Sequence, residues 1–292
     1  MSNHSEIIQA GTDHIISLQD SDGGFRFFGD VLRHGPSVDW TTACMGSSLY
    51  EILQNPNAYP VILVKHLILS LQREEGGWAY NETVPSDPDS TLRVLQFLQK
   101  IGYRDDPEVL NRGYRFVITH QDELTGGIRT YTTERLKRMG YPLGGWDQPH
   151  PCVSALAYNV LPDFPERVRL GQYLRSLPDT KSYWWDSDAY VEWELNKAWD
   201  KPIVSDIQDD TVNIAIHLLG TQKNIGNKRW MVFRLLQHFD STTGSFGTTN
   251  MFHIPPSNLP VGISQERKRI IPETRGGFST STAVLALQRT LV

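Results

Sequence analysis

Residues 72–78, Gln-Arg-Glu-Glu-Gly-Gly-Trp, and residues 84–91, Val-Pro-Ser-Asp-Pro-Asp-Ser-Thr, decide the fold of this chain. A glutamine at a helix end is followed by a glycine turn and an aromatic residue. An acidic, hydroxyl-rich cluster then opens an apolar helix. Weaker copies of both halves recur along the chain, and recurrence at a steady period indicates a repeat architecture.

The glycine turn recurs in residues 19–25, 121–128 and 237–246. Neighbouring copies are roughly 50 to 60 residues apart, with Tyr183-Trp-Trp standing where a further copy is expected. Polar clusters like that of residues 89–92 recur at 39–43, 152–155, 209–212 and 279–283. Asp, Ser and Thr accept hydrogen bonds from the unpaired N–H groups of a first helical turn. Each cluster therefore predicts the start of a helix.

The helices after the clusters are apolar on most sides, as in residues 282–287, which is typical of buried helices. The helices before the turns are amphipathic, as in residues 110–118. The pattern predicts an all-α (α/α) toroid, an α6-α6 barrel, as one domain over residues 1–292. About eleven helices follow from the periodicity, with the layer of three helices in residues 186–240 left open. The loop 248–276 is expected to close one end of the barrel.

Composition excludes several classes of protein. The net charge is −5 and no Lys/Arg run occurs, which argues against a nucleic-acid partner. No apolar run approaches the ~18 residues that span a bilayer, and the N-terminus lacks the features of a signal peptide. Two cysteines give no disulfide framework, so a cytoplasmic location is expected.

The glycine–tryptophan turn and the acidic cluster of residues 85–91 resemble the prenyltransferase and squalene oxidase repeat. They resemble in particular the β-domain of class II terpene cyclases, the squalene–hopene cyclase family. There, such a turn leads into Asp-x-Asp-Asp-Thr at the start of an inner helix of an (α/α) barrel. The resemblance implies an enzyme without a cofactor that protonates an alkene or epoxide of an isoprenoid-like substrate.

The resemblance also implies the catalytic residues. The middle aspartate of the family motif is the Brønsted acid and corresponds to Asp89, with Asp87 as the first aspartate and Ser90 in place of the last. A neighbouring carboxylate raises the pKa of such an acid, and the helix N-terminus and a hydroxyl of Ser90 or Thr91 would stabilise its anion. Alternatively, both aspartates are simple helix caps.

Other polar groups are weaker candidates. The cluster of residues 206–211 keeps Asp-Asp-Thr but lacks the first aspartate and the preceding turn, so it predicts a helix cap. Asp147, His150 and Cys152 are potential metal ligands, but their spacing differs from that of the related protein prenyltransferases, and we expect no metal. His150 stands at the start of an inner helix and is expected to face the barrel mouth and hydrogen-bond a catalytic acid; alternatively, it is a surface or capping group.

Aromatic faces stabilise carbocations, above all in a dry cavity. The aromatic residues expected near the cavity, at anchors and inner-helix starts, are Trp40, Trp146, Trp184, Trp185 and Tyr190. Phe25 and Trp78 are expected to pack between repeats instead.

The sequence therefore predicts a cofactor-independent cyclase acting on a small apolar, isoprenoid-like substrate. The same acid chemistry on a non-terpenoid intermediate is one alternative. A non-catalytic barrel that binds an apolar ligand is the other.

Overall fold

The computed structural model of the protein describes residues 4–29, 35–178, 181–220, 225–261 and 269–291. These residues form twelve helices and one antiparallel pair of short strands. In chain order the elements are α1 (His4–Ser17), α2 (Asp39–Leu53), α3 (Tyr59–Ser70), α4 (Pro88–Lys100), α5 (Pro107–Ile118), α6 (Thr133–Met139), α7 (Pro151–Val160), α8 (Pro165–Ser176), α9 (Ala189–Trp199), α10 (Thr211–Gly220), α11 (Ile225–Gln237), β1 (His253–Ile254), β2 (Arg269–Ile270) and α12 (Gly277–Leu291).

Six helices form a closed inner ring. In the order α2, α4, α7, α9, α10 and α12, each packs against the next, and α12 packs against α2. Helices α1, α3, α5, α8 and α11 form the outer layer, each against one inner helix. The predicted all-α toroid is therefore confirmed. No helix in the described parts of the chain is both long enough and apolar enough to cross a bilayer.

One outer helix of a regular six-pair barrel is missing. Residues 200–210 connect α9 to α10 and contain no helix, so α9 and α10 are both inner helices and α11 is an outer one. This assigns the three helices whose layer the sequence left open. The missing outer helix also explains why the anchor at Tyr183 has no glycines. In the other repeats the glycine turn packs on the next outer helix, and no outer helix lies between α9 and α10.

The anchor glutamines tie each glycine turn to the following outer helix. Gln72 Nε2 donates to the carbonyl oxygens of Gly76 and Val109, both at 2.9 Å, and Gln19 and Gln121 make equivalent pairs of bonds. Gly76 has a φ of 93°, and a Cβ there would lie 2.7 Å from the carbonyl oxygen of Arg112 in α5. The turn therefore requires glycine.

The degenerate fourth copy closes the ring. Gly244 has a φ of 74°, and a Cβ there would lie 2.7 Å from the carbonyl oxygen of Ala10 in α1. The turn after α11 thus packs on the first outer helix in the way that the other turns pack on the next one. The weak sequence match at residues 237–246 therefore marks a glycine turn that packs as the others do, although its Gln237 side chain bonds Arg234.

The hydroxyl clusters have a different role from the predicted one. Thr91 Oγ1 accepts a hydrogen bond from the backbone N–H of Trp78 at 2.9 Å. Equivalent hydroxyls in α2, α7 and α12 accept from the backbone N–H of the anchor residue in their own repeat. These hydroxyls lie within the first helical turn, and the cap of α4 is Asp87. A buried N–H after the glycine turn needs a partner, and the inner helix supplies it.

The described parts of the loop 248–276 cover the end of the barrel where the inner helices begin, as predicted. The backbone N–H of His253 donates to the Trp184 carbonyl at 2.8 Å, and the N–H of Trp146 donates to the Ser257 carbonyl at 3.0 Å. Glu273 accepts hydrogen bonds from backbone N–H groups at the start of α12. The loop is thereby fixed to three of the inner-helix starts.

Candidate active site

A cavity of about 420 Å³ lies at this covered end of the barrel. The starts of α2 and α4 contribute Trp40, Asp87, Asp89 and Ser90 to its wall, and the remaining wall comes from α6, β1 and the connecting loops. Most of the lining is apolar or aromatic. The two carboxyl groups therefore face a cavity that offers them little solvation.

The local sequence separates the roles of the two aspartates. Pro88 takes the first helical position of α4, where its missing N–H costs nothing, and Asp87 is the N-cap. Asp87 Oδ1 accepts from the Ser90 backbone N–H at 2.9 Å, and Oδ2 accepts from Ser90 Oγ at 2.8 Å. Asp89 makes neither contact. Its Oδ2 accepts from Trp40 Nε1 at 3.1 Å, across the gap between α4 and α2.

Burial dominates the protonation of this group of carboxyls. It raises the pKa of Asp89, and the nearby Arg93 charge and the Trp40 hydrogen bond oppose that rise. It raises the pKa of Asp87 to about 7, with the charge of Asp89 adding to the effect. Burial also raises the pKa of Asp39, at the start of α2, to about 6. Carboxyls that are ionised in water are therefore biased towards the protonated form here.

A buried network lies one helical turn below Asp89. The Arg93 guanidinium contacts the Tyr190 hydroxyl and lies 3.2 Å from Glu194 Oε1. Glu194 is fully buried and its second oxygen lies 2.6 Å from Lys197 Nζ. The network joins α4 to α9 beneath the floor of the cavity.

The structure brings three of the five predicted aromatic residues to the cavity wall. Trp40, Trp146 and Trp184 line the cavity. Trp185 and Tyr190 form a layer behind it, with their rings stacked at a centroid distance of 4.6 Å. Trp185 supports Trp40 from behind at 5.9 Å.

Four further aromatic residues on the wall were not predicted. They are Tyr80, Tyr131, Tyr141 and Phe252. Tyr80 stands two residues after the anchor residue Trp78, and Thr130 stands two residues after the anchor residue Ile128 and also lines the cavity. The position two residues after the anchor is thus a usable signal in these two repeats, whereas Tyr141 and Phe252 lie in loops without such a signal.

No protein-family model and no curated protein sequence matches the chain. Solved structures do match it over nearly its whole length. Type II terpene cyclase MstE from Scytonema, in its apo form, superposes with a TM-score of 0.79 at 21% identity, covering 100% of this chain and 99% of that chain. The chain has the fold of a type II terpene cyclase. The recognition of this fold from residues 72–91 is confirmed.

Two other matches agree with this type II terpene cyclase fold. An MstE variant with an aspartate replaced by asparagine, in complex with geranylgeranyl dihydroxybenzoate, has a TM-score of 0.80 at 21% identity and covers 98% of this chain and 96% of that chain. A protein from Actinoplanes has a TM-score of 0.79 at 19% identity, covering 99% of this chain and 100% of that chain.

His150 lies behind the cavity wall in this terpene cyclase fold. It precedes α7, is fully buried, and packs its ring on Tyr183 at 4.2 Å and on Trp184 at 5.7 Å. His150 is not among the described residues that line the cavity. Asp147 accepts from the backbone N–H of Gly144 at 2.8 Å. The described residues contain no group of three or more side chains placed to hold a metal ion.

The second acidic cluster is a helix cap, as predicted. Asp210 Oδ1 accepts from the backbone N–H of Val212 at 2.8 Å, and its Oδ2 accepts from Thr249 Oγ1 at 2.9 Å. Asp209 has a side chain that is 61% exposed and pairs with Arg234 and His238 of the α11 region. Neither aspartate lines the cavity that contains Asp89.

Proposed function

We propose that the protein is a cofactor-independent cyclase that protonates an alkene or epoxide of an isoprenoid or isoprenoid-bearing substrate, with Asp89 as the Brønsted acid. The observation that supports this most strongly is the carboxyl group of Asp89 on the wall of an aromatic cavity, bound to Trp40 and not used as a helix cap. The family resemblance of residues 72–91 points to the same residue.

The surroundings of Asp89 suit a proton donor. A general acid must carry its proton when the substrate arrives, and burial raises the pKa of Asp89 in that direction. Trp40 donates to Oδ2, so the transferable proton belongs on Oδ1. After transfer, the Trp40 N–H and the N-terminus of α4 stabilise the carboxylate.

The aromatic wall suits the cation that protonation creates. Trp40, Trp146, Trp184 and Phe252 present rings to the cavity, and an aromatic face attracts a cation most strongly where water is excluded. The volume of about 420 Å³ lies within the roughly 300–1,000 Å³ typical of sites for small organic ligands.

The remaining predicted residues act indirectly in this proposal. Asp87, fixed by Ser90, tunes the acid, because a partly ionised carboxyl next to Asp89 favours the protonated form of Asp89. His150 supports Trp184 from behind and so fixes part of the wall. The barrel over residues 1–292 would act as a single domain.

A prenylated aromatic acid is the first substrate to test. Structures of MstE variants hold geranylgeranyl dihydroxybenzoate, described as the substrate, and merosterolic acid A, described as the product. The shared fold and the apolar cavity support a substrate of this class, in which an isoprenoid chain enters the aromatic cavity.

The test is turnover of geranylgeranyl dihydroxybenzoate and a panel of other geranylgeranyl and farnesyl compounds, followed by mass spectrometry for products isomeric with the substrate. We expect a cyclised isomer with the wild-type protein and none with Asp89→Asn. Asp209→Asn is the control: it makes the same substitution at an exposed aspartate of the second acidic cluster and should retain activity. Saturable binding without turnover of any compound would favour the binding barrel, and an active Asp89→Asn variant would move the acid elsewhere.

A further inference from the structure

A second cavity, of about 330 Å³, lies on the other side of Trp40, further along the barrel. Trp40 lines both cavities, and Arg93 and Tyr190 line only the second. The proposed acid and the Arg93 network are therefore separated from each other by one helical turn and one indole ring. The charges of the second cavity act on Asp89 across this short distance.

Arg93 by itself works against an acid at Asp89. It follows Asp89 by four residues in α4, so the two side chains lie on the same face of the helix. The Arg93 side chain is only 6% exposed. A buried cation so near favours the carboxylate over the carboxylic acid, and the Arg93 charge indeed lowers the pKa of Asp89 against the effect of burial.

Glu194 places a negative charge against that cation. Burial raises its pKa, but Lys197 and Arg93 lower it to about 2, so Glu194 is an anion over the whole working range of pH. Its side chain is fully buried, lines neither cavity, and lies 3.2 Å from the Arg93 guanidinium. A fixed anion at this distance offsets part of the field of Arg93 at Asp89.

We propose that Glu194 is a positioning residue for the reaction: by pairing with Arg93 it offsets the charge of Arg93 and so lets Asp89 keep its proton. This inference rests on the proposed function, because it presumes that Asp89 is the acid. It assigns the buried Arg93–Glu194 pair a part in the chemistry in addition to its part in holding α4 against α9.

Among the other groups near Asp89, Asp87 also favours the protonated acid, but the thiols and the Tyr190 hydroxyl carry no charge that could offset Arg93. Burial raises the pKa of the Cys44 thiol to about 12 and that of the Cys152 thiol to about 11, so both are neutral. Burial also raises the pKa of Tyr190 well above its usual value. The groups that face Asp89 are Trp40 and Cys44 from α2, Asp87 and Arg93 from the α4 region, Cys152 from α7, and Tyr190 and Glu194 from α9.

The test is the pH dependence of turnover in Glu194→Gln. An acid is active below its pKa and loses activity as the pH rises through it. Removing the anion exposes Asp89 to the full charge of Arg93, so the basic limb of the profile should move to lower pH. Turnover at neutral pH should fall by about tenfold, while the rate at the acidic end is retained. A purely structural role would lower the rate at every pH alike.

Arg93→Gln is the complementary variant. It removes the cation and should move the basic limb to higher pH, and the double variant Arg93→Gln/Glu194→Gln should lie close to the wild type. Glu194→Gln leaves the buried Arg93 without a carboxylate and is at risk of unfolding; in that case Arg93→Gln and the double variant carry the test. Lys100→Gln is the matched control, because Lys100 lines the same cavity but pairs with Glu51, and its profile should be unchanged.

A second measurement separates this inference from the proposed function. The ¹³C carboxyl resonance of Asp89, assigned by its absence in Asp89→Asn, reports the protonation of Asp89 whether or not the protein turns over a substrate. It should titrate at lower pH in Glu194→Gln and at higher pH in Arg93→Gln than in the wild type. A titration that does not move, or moves in the opposite directions, overturns the inference, whereas absence of turnover with a moving titration overturns only the proposed function.

Discussion

The acidic clusters before α4 and α10 are alike in sequence and different in structure. Each places two acidic residues within four positions before a Thr in the first turn of an inner helix. At α4, Asp87 caps the helix and Asp89 faces an aromatic cavity. At α10, Asp210 is the cap and Asp209 pairs with Arg234 in solvent.

The surroundings of the second carboxyl account for this difference. Burial raises the pKa of Asp89, while the hydrogen bond from Arg234 lowers the pKa of Asp209. One carboxyl is therefore biased towards the acid form and the other towards the anion. A cap position is available at the start of every inner helix, and a proton donor arises only where an extra carboxyl is enclosed by apolar walls.

The largest effect is expected for Asp89→Asn. The amide keeps the shape and can still accept from Trp40, but it has no proton to give. Turnover should fall by about 10²–10⁴-fold, the usual contribution of a general acid. The measurement is the rate of formation of cyclised product, with circular dichroism to verify folding. Full activity in a folded Asp89→Asn variant would mean that Asp89 is not the proton donor, and the two acidic clusters would no longer differ in function.

Trp40→Phe should have the next largest effect. It keeps an aromatic ring in the wall but removes the N–H that binds Asp89. A hydrogen bond to a charged group contributes about 1.5–3 kcal/mol, so turnover should fall by about tenfold to a hundredfold. Trp146→Phe is the matched control, because Trp146 also lines the cavity but donates to the Pro255 carbonyl. Equal losses in both variants would mean that the Trp40 bond to Asp89 has no special role.

Asp87→Asn should lower turnover only several-fold, because Asn still caps α4 and Asp89 keeps its proton. Its clearer effect is on stability. The pKa of Asp87 is about 7 in the folded protein and about 3.9 in an unfolded chain. The protonated Asp87 carboxyl therefore contributes to the free energy of unfolding. This contribution is complete below the pKa of the unfolded chain and is lost as the pH rises through the folded pKa of about 7. Asn does not titrate, so the variant should be more stable than the wild type at pH 8 by a few kcal/mol and should lack this pH dependence.

Asp209→Asn should have the smallest effect, with turnover unchanged within error. The side chain is 61% exposed and lies outside the cavity. A large loss of turnover in this variant would transfer the acid to the second cluster and reverse the comparison. The assay is the one used for Asp89→Asn.

Much of this fold follows from the sequence because the repeat has a local cause. Each glutamine bonds its own turn and the next outer helix, as Gln72 does with Gly76 and Val109. The pattern therefore predicts both the turn and its neighbour. The gap between α9 and α10 was not predicted, because a missing helix leaves only irregular sequence in residues 200–210.

The candidate site was predictable to a smaller degree. Trp40 and Asp89 lie at inner-helix starts, which the repeat marks, and the structure brings them within 3.1 Å. Phe252 comes from a loop whose path depends on tertiary contacts such as the bond from His253 to Trp184. Glu194 lies in the interior of α9, and only the packing of α9 on α7 and the ion pair with Arg93 place it below Asp89.

The central claim is that a proton from Asp89 starts the reaction, and isotope incorporation tests it most directly. Turnover of an alkene substrate such as geranylgeranyl dihydroxybenzoate in D₂O, with the product analysed by mass spectrometry and NMR, should give a cyclised product. That product should carry one carbon-bound deuterium at the former terminal alkene. Asp89→Asn should give no labelled product. A cyclised product without carbon-bound deuterium, or equal labelling by Asp89→Asn, would contradict the account.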